Sequence, residues 1–64
     1  MKVVPTDIYD SSGNLSSIEF HSLEGEFMFQ AVWDPSDDQT NDNRNIFRKW
    51  SKTMAKRLDF EVEL

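Results

Sequence analysis

The chain has 64 residues, twelve carboxylates against seven lysines and arginines, one histidine, no cysteine and a net charge of −5. That length bounds one small domain over residues 1–64, near the size at which a single core barely offsets the entropy of ordering the chain. The missing cysteines exclude disulfide staples, thiolate zinc sites and thiol redox motifs.

The first segment, Lys2 to Asp10, is rich in β-formers, and Pro5 places it at an edge or start of a sheet. The second, Leu15 to Leu23, alternates Ile18, Phe20 and Ser22 against Ser17, Glu19 and His21. The third, Glu26 to Trp33, alternates Phe27, Phe29, Ala31 and Trp33 against Met28, Gln30 and Val32, the strongest strand signal in the chain. Three such segments joined by short turns predict an antiparallel meander. A one-residue slip moves every side chain to the other face, so the pattern also predicts register. A two-residue turn at Glu24-Gly25 sets Phe20 opposite Phe29, Ile18 opposite Ala31 and Ser22 opposite Phe27. In the first hairpin, a three- or five-residue loop around Ser12-Gly13-Asn14, with Gly13 or Asn14 left-handed, sets Ile8 opposite Ile18 and Val4 opposite Ser22.

The polar stretch DPSDDQTNDN follows, in which Ser36 with Gln39 has the form of a capping box and Thr40 and Asp42 are alternative N-caps. A helix is predicted from about residue 41. At about 100° per residue, Ile46, Phe47, Trp50, Met54 and Leu58 form one stripe, with Arg44, Arg48, Lys49, Lys52 and Lys56 roughly opposite. The tail alternates Phe60, Val62 and Leu64 against Asp59, Glu61 and Glu63, which reads as a short fourth strand. A right-handed crossover places it parallel to the first, giving the order 3-2-1-4. The expected fold is therefore α+β, a three-stranded meander with one amphipathic helix on one face and a short C-terminal strand. Its core is expected to hold Val4, Ile8, Ile18, Phe20, Phe27, Phe29, Ala31, Trp33, Ile46, Phe47, Trp50, Met54, Leu58, Phe60 and Val62.

Charge is distributed unevenly along this plan. Residues 1–39 carry Lys2 against eight carboxylates, whereas residues 40–58 carry six cations against Asp42 alone. A basic helix beside acidic strands moderates the self-repulsion of each.

Motifs of catalysis are nearly absent, and a non-enzymatic protein without cofactor or metal is expected. His21 stands without a second imidazole or a thiol, the two glycines fall in the hairpins, and Asp34, Asp37, Asp38 and Asp42 lack the spacing of a calcium loop. Function is expected instead on the sheet face opposite the helix, where Tyr9, Glu19, His21, Met28 and Val32 form a partly apolar surface rimmed by carboxylates. Such a face suits a regulatory or inhibitory adaptor that binds another protein or a second copy of itself. The alternative is nucleic-acid binding through Arg44, Arg48, Lys49, Lys52 and Lys56, against which the acidic remainder argues. No run approaches the roughly 18 apolar residues of a membrane span, and MKVVPTDIYD lacks the apolar centre of a signal peptide. A soluble cytoplasmic protein, in the host cytoplasm if viral, is the expectation.

Overall fold

The computed structural model describes residues 1–63. Strand β1 (Lys2–Tyr9), β2 (Leu15–Ser22) and β3 (Phe27–Val32) form the antiparallel meander, followed by helix α1 (Asn41–Arg57) and the two-residue strand β4 (Glu61–Val62). The sheet order is β3-β2-β1-β4, and β4 runs parallel to β1 with Lys2 beside Glu61 and Val3 beside Val62. The α+β class, the helix and the strand order follow the sequence reading. Leu64, the last residue of the expected alternation, lies outside the described residues.

Both hairpins depart from the simple alternation through a bulge. The first loop has the anticipated five residues, 10–14, with Gly13 at φ 81° and the Asp10 carboxylate accepting from the backbone N–H of Ser12 and Asn14. Ser16 is then an extra residue in β2, since Tyr9 pairs with Leu15 but Ile8 with Ser17. An extra residue reverses the alternation beyond it. Ile18 accordingly meets Asp7, and Ser22 meets Val3 rather than Val4. Val3 is the buried residue, while Val4 is exposed and Ile8 lies on the face away from α1.

In the second hairpin Phe20 pairs with Phe29 and Ile18 with Ala31, as the pattern indicated. The turn is a residue longer than expected. The N–H of Ser22 donates to Glu26, that of Gly25 to Ser22, and Gly25 adopts φ 89°, a three-residue loop closed by a left-handed glycine. Met28 becomes the extra residue, so Phe27 faces His21 on the outer side and Met28 packs against the core.

The centre of the core is Val3, Ile18, Phe20 and Ala55, with Met28, Phe29, Phe47, Phe60 and Val62 packed around it. Phe20 and Phe29 stack at 4.5 Å between ring centres, and Phe60 stacks on Phe29 at 5.5 Å. Such contacts add about 0.5–1.5 kcal/mol each beyond simple burial.

Helix α1 is capped by Thr40, whose hydroxyl accepts from the N–H of Asn43. Gln39 does not close a capping box with Ser36. Its side-chain amide instead satisfies both backbone groups of Leu15, at 3.0 and 2.9 Å, and so pins the loop to β2. The helix is also rotated from its apolar stripe. Ser51 and Ala55 are fully buried, whereas Ile46, Trp50 and Leu58 are exposed. At about 100° per residue, the buried line is displaced from the centre of the apolar stripe by roughly 80°.

The helix ends on a left-handed Asp59, φ 65°, while the N–H of Phe60 returns to the carbonyl of Ala55. Glycine adopts this conformation without the Cβ penalty. Asp59→Gly is therefore expected to stabilise the fold by about 0.5–1 kcal/mol, measured as a higher urea midpoint at unchanged slope.

Candidate functional site

The bulges decide what the outer face of the sheet presents. Three cross-strand rows lie there: Val4–His21–Phe27, Thr6–Glu19–Gln30 and Ile8–Ser17–Val32. Apolar groups stand at both ends of the face with a polar row between them. Phe27 is 51% exposed and Val32 64%. His21 is held in place, with Nε2 3.0 Å from Glu19 Oε1, Nδ1 3.3 Å from the Gly25 carbonyl, and the Phe27 ring edge-on at 5.8 Å.

Of the residues singled out from sequence, Glu19, His21 and Val32 come together on this face. Met28 is turned into the core side by the bulge. Tyr9 is on the helix side, where its hydroxyl donates to Asp7 at 3.3 Å and lies 3.4 Å from Arg48. Val4, Ile8, Phe27 and Gln30 complete the surface. Gln30 was already legible there from alternation, whereas the other three require knowledge of the bulges.

The basic side of the helix divides into engaged arginines and free-standing lysines. Arg48 donates to Asp7 Oδ2 from Nε at 3.1 Å and Nη2 at 3.0 Å, and to Asn45 at 3.2 Å. Its hydrogen bonds with Asp7 raise the guanidinium pKa above its ordinary value, so it remains charged throughout the accessible pH range. Both partners are about a third exposed, so water screens the pair and its net contribution is about 1 kcal/mol or less. Arg44 donates to the carbonyl of Gln39 and to Asn41, both at 2.7 Å. Lys49, Lys52 and Lys56 enter no ion pair among the described residues.

A groove of about 280 Å³ separates the end of β3 and the following loop from α1, lined by Val32, Trp33, Asp34, Asp37, Ile46 and Trp50 among others. Trp33 meets Phe47 edge-on at 5.1 Å, and Phe47 stacks on Trp50 at 6.0 Å. Ile46 is 65% exposed and Trp50 48%. Periodicity alone assigned both to the core, and the rotation of the helix makes them surface. The Asp34 carboxyl at the rim is held below the usual range by the Ser36 backbone N–H and then by the Ser36 hydroxyl. Among the described residues no three His, Asp or Glu side chains gather to hold a metal ion, and no helix is long and apolar enough to cross a membrane.

The two outer edges of the sheet also differ. Beyond the two residues covered by β4, the edge of β1 continues with Pro5, which has no N–H to offer. Strand β3 carries neither proline nor lysine. The N–H of Trp33 donates inward to Ser16, and hydrogen-bonded and non-bonded pairs alternate along antiparallel strands, so Gln30 and Val32 turn their backbone groups outward. No family of known proteins matches the chain, and neither does any curated protein or solved structure.

Proposed function

We propose that this is a non-enzymatic binding protein that takes an extended segment of a partner protein along the edge of β3, against the outer face of the sheet. The observation that carries this reading is the unguarded β3 edge flanked by exposed Phe27 and Val32. Main-chain pairing at Gln30 and Val32 supplies affinity, and the apolar side chains with the fixed Glu19–His21 pair supply selectivity. The role that fits is regulatory or inhibitory, and the cysteine-free chain suits a reducing compartment such as the cytosol.

The test is affinity capture from lysate with and without nuclease. Gln30→Pro removes an outward N–H without removing a ladder bond to β2, and Phe27→Ala removes an exposed anchor. Both variants should retain the parent circular dichroism and lose the captured protein at least tenfold, about 1.4 kcal/mol. Reversing Lys49, Lys52 and Lys56 to glutamate should leave capture intact. Recovery of nuclease-sensitive material alone, or capture indifferent to the two β3 variants, refutes the reading in favour of the basic helix or another surface.

A further inference from the structure

The helix flank left outside the core has a spacing of its own. Asn43, Ile46, Trp50, Thr53 and Arg57 recur at intervals of three and four, and at about 100° per residue they fall within roughly 80° of arc. This is the seam along which two helices interlock. Its centre is apolar and exposed, in Ile46 and Trp50, and its ends are polar, Asn43 uncharged and Arg57 cationic.

Charge follows the same division. Asp34 and Asp37 line the groove at the N-terminal end of this flank, Asp42 stands beside it in the first turn, and Arg57 lies on the flank in the last turn. None of Asp37, Asp42 and Arg57 forms an ion pair within the chain among the described residues. One surface therefore carries both halves of a complementary pattern. An antiparallel copy of the same helix reverses that pattern and matches it. With a two-fold axis at Trp50, residue 43 lies level with residue 57 of the second copy, residue 42 with residue 58, and residue 46 with residue 54.

We infer that the chain forms a symmetric dimer in which the Ile46–Trp50 flank of α1 packs antiparallel against the same flank of a second copy, the acidic N-terminal end of each helix beside the basic C-terminal end of the other. The interface is isologous and closes on itself. It covers the aromatic groove beside Trp33, and it provides a domain of 64 residues with apolar burial that its own core lacks. Val32 lines that groove whereas Phe27 and Gln30 do not, so the dimer leaves the Phe27–Gln30 part of the β3 edge open on both copies.

Sedimentation equilibrium of the full chain from micromolar to millimolar concentration tests this. The expected species has twice the 7.5 kDa chain mass, dissociates on dilution and weakens in high salt. Ile46→Glu, at a position 65% exposed in the single chain, should keep the parent circular dichroism and raise the dissociation constant at least tenfold. Arg57→Glu should weaken association, and adding Asp42→Arg should restore it, a rescue that general destabilisation does not produce. A monomer at every concentration overturns the inference. So does a dimer unaffected by Ile46→Glu, or one broken by Gln30→Pro, which would place the copies edge to edge through β3.

Discussion

Phe20→Ala is expected to leave most molecules unfolded at 25 °C, whereas Trp50→Ala, which removes a larger side chain, is expected to leave the fold standing. Phe20 is fully buried, stacked on Phe29 and central to the cluster with Val3, Ile18 and Ala55. Deleting its ring removes the transfer energy of the atoms and leaves a void that the paired β1 and β3 backbones cannot close, at a cost of about 3–5 kcal/mol. A domain of this length holds only about 3–10 kcal/mol in total. Trp50 is 48% exposed and rests on Phe47 at the margin of a groove open to water. Its loss leaves no closed cavity, and the forfeited burial amounts to about 1–2 kcal/mol. Urea unfolding followed by circular dichroism at dilute protein separates the two. A Trp50→Ala variant less stable than Phe20→Ala would show that the helix packs on its apolar stripe after all.

The contrast marks where the sequence was legible. Alternation in residues 15–33 gave the Phe20–Phe29 and Ile18–Ala31 pairs because a continuous two-residue period has one register that keeps aromatic side chains on a common face. Helix length followed from Thr40 and the long three-to-four spacing, and the order β3-β2-β1-β4 from the parallel return of the tail. What alternation missed were the bulges at Ser16 and Met28. Each inserts one residue without changing composition, and each moves everything beyond it to the opposite face. That is how Val3 replaced Val4 in the core and how Phe27 reached the binding surface. The candidate site was legible at Glu19, His21 and Val32, and illegible on β1 and at Phe27 and Met28, whose faces the two bulges set.

The rotation of α1 has the same origin. Once the first bulge turns Asp7 toward the helix, a cation must meet it, and Arg48 does so from one edge of the buried line. A helix sitting on Ile46, Trp50 and Met54 would carry Arg48 away from that carboxylate, leaving Asp7 beside the apolar core without its partner. Small residues fill the resulting contact: Ser51 closes its hydroxyl on the Arg48 carbonyl at 2.7 Å, and Ala55 joins the cluster of Val3, Ile18 and Phe20.

Ala55→Leu exposes this arrangement to direct test. On the apolar-stripe orientation, position 55 lies well to one side of the contact, and leucine, an equally good helix former, would be neutral or slightly stabilising. In the observed orientation residue 55 is fully buried against the sheet. Three added carbon atoms there have no void to enter, and they force α1 away from β2 and strain the Arg48–Asp7 contact held at 3.0 Å. The expected loss is about 1–3 kcal/mol, with a lower urea midpoint. Ala55→Ser, which adds one small atom, should lose less than leucine does. A leucine variant as stable as the parent would place the helix on Ile46 and Trp50, and would return those two residues from the surface to the core.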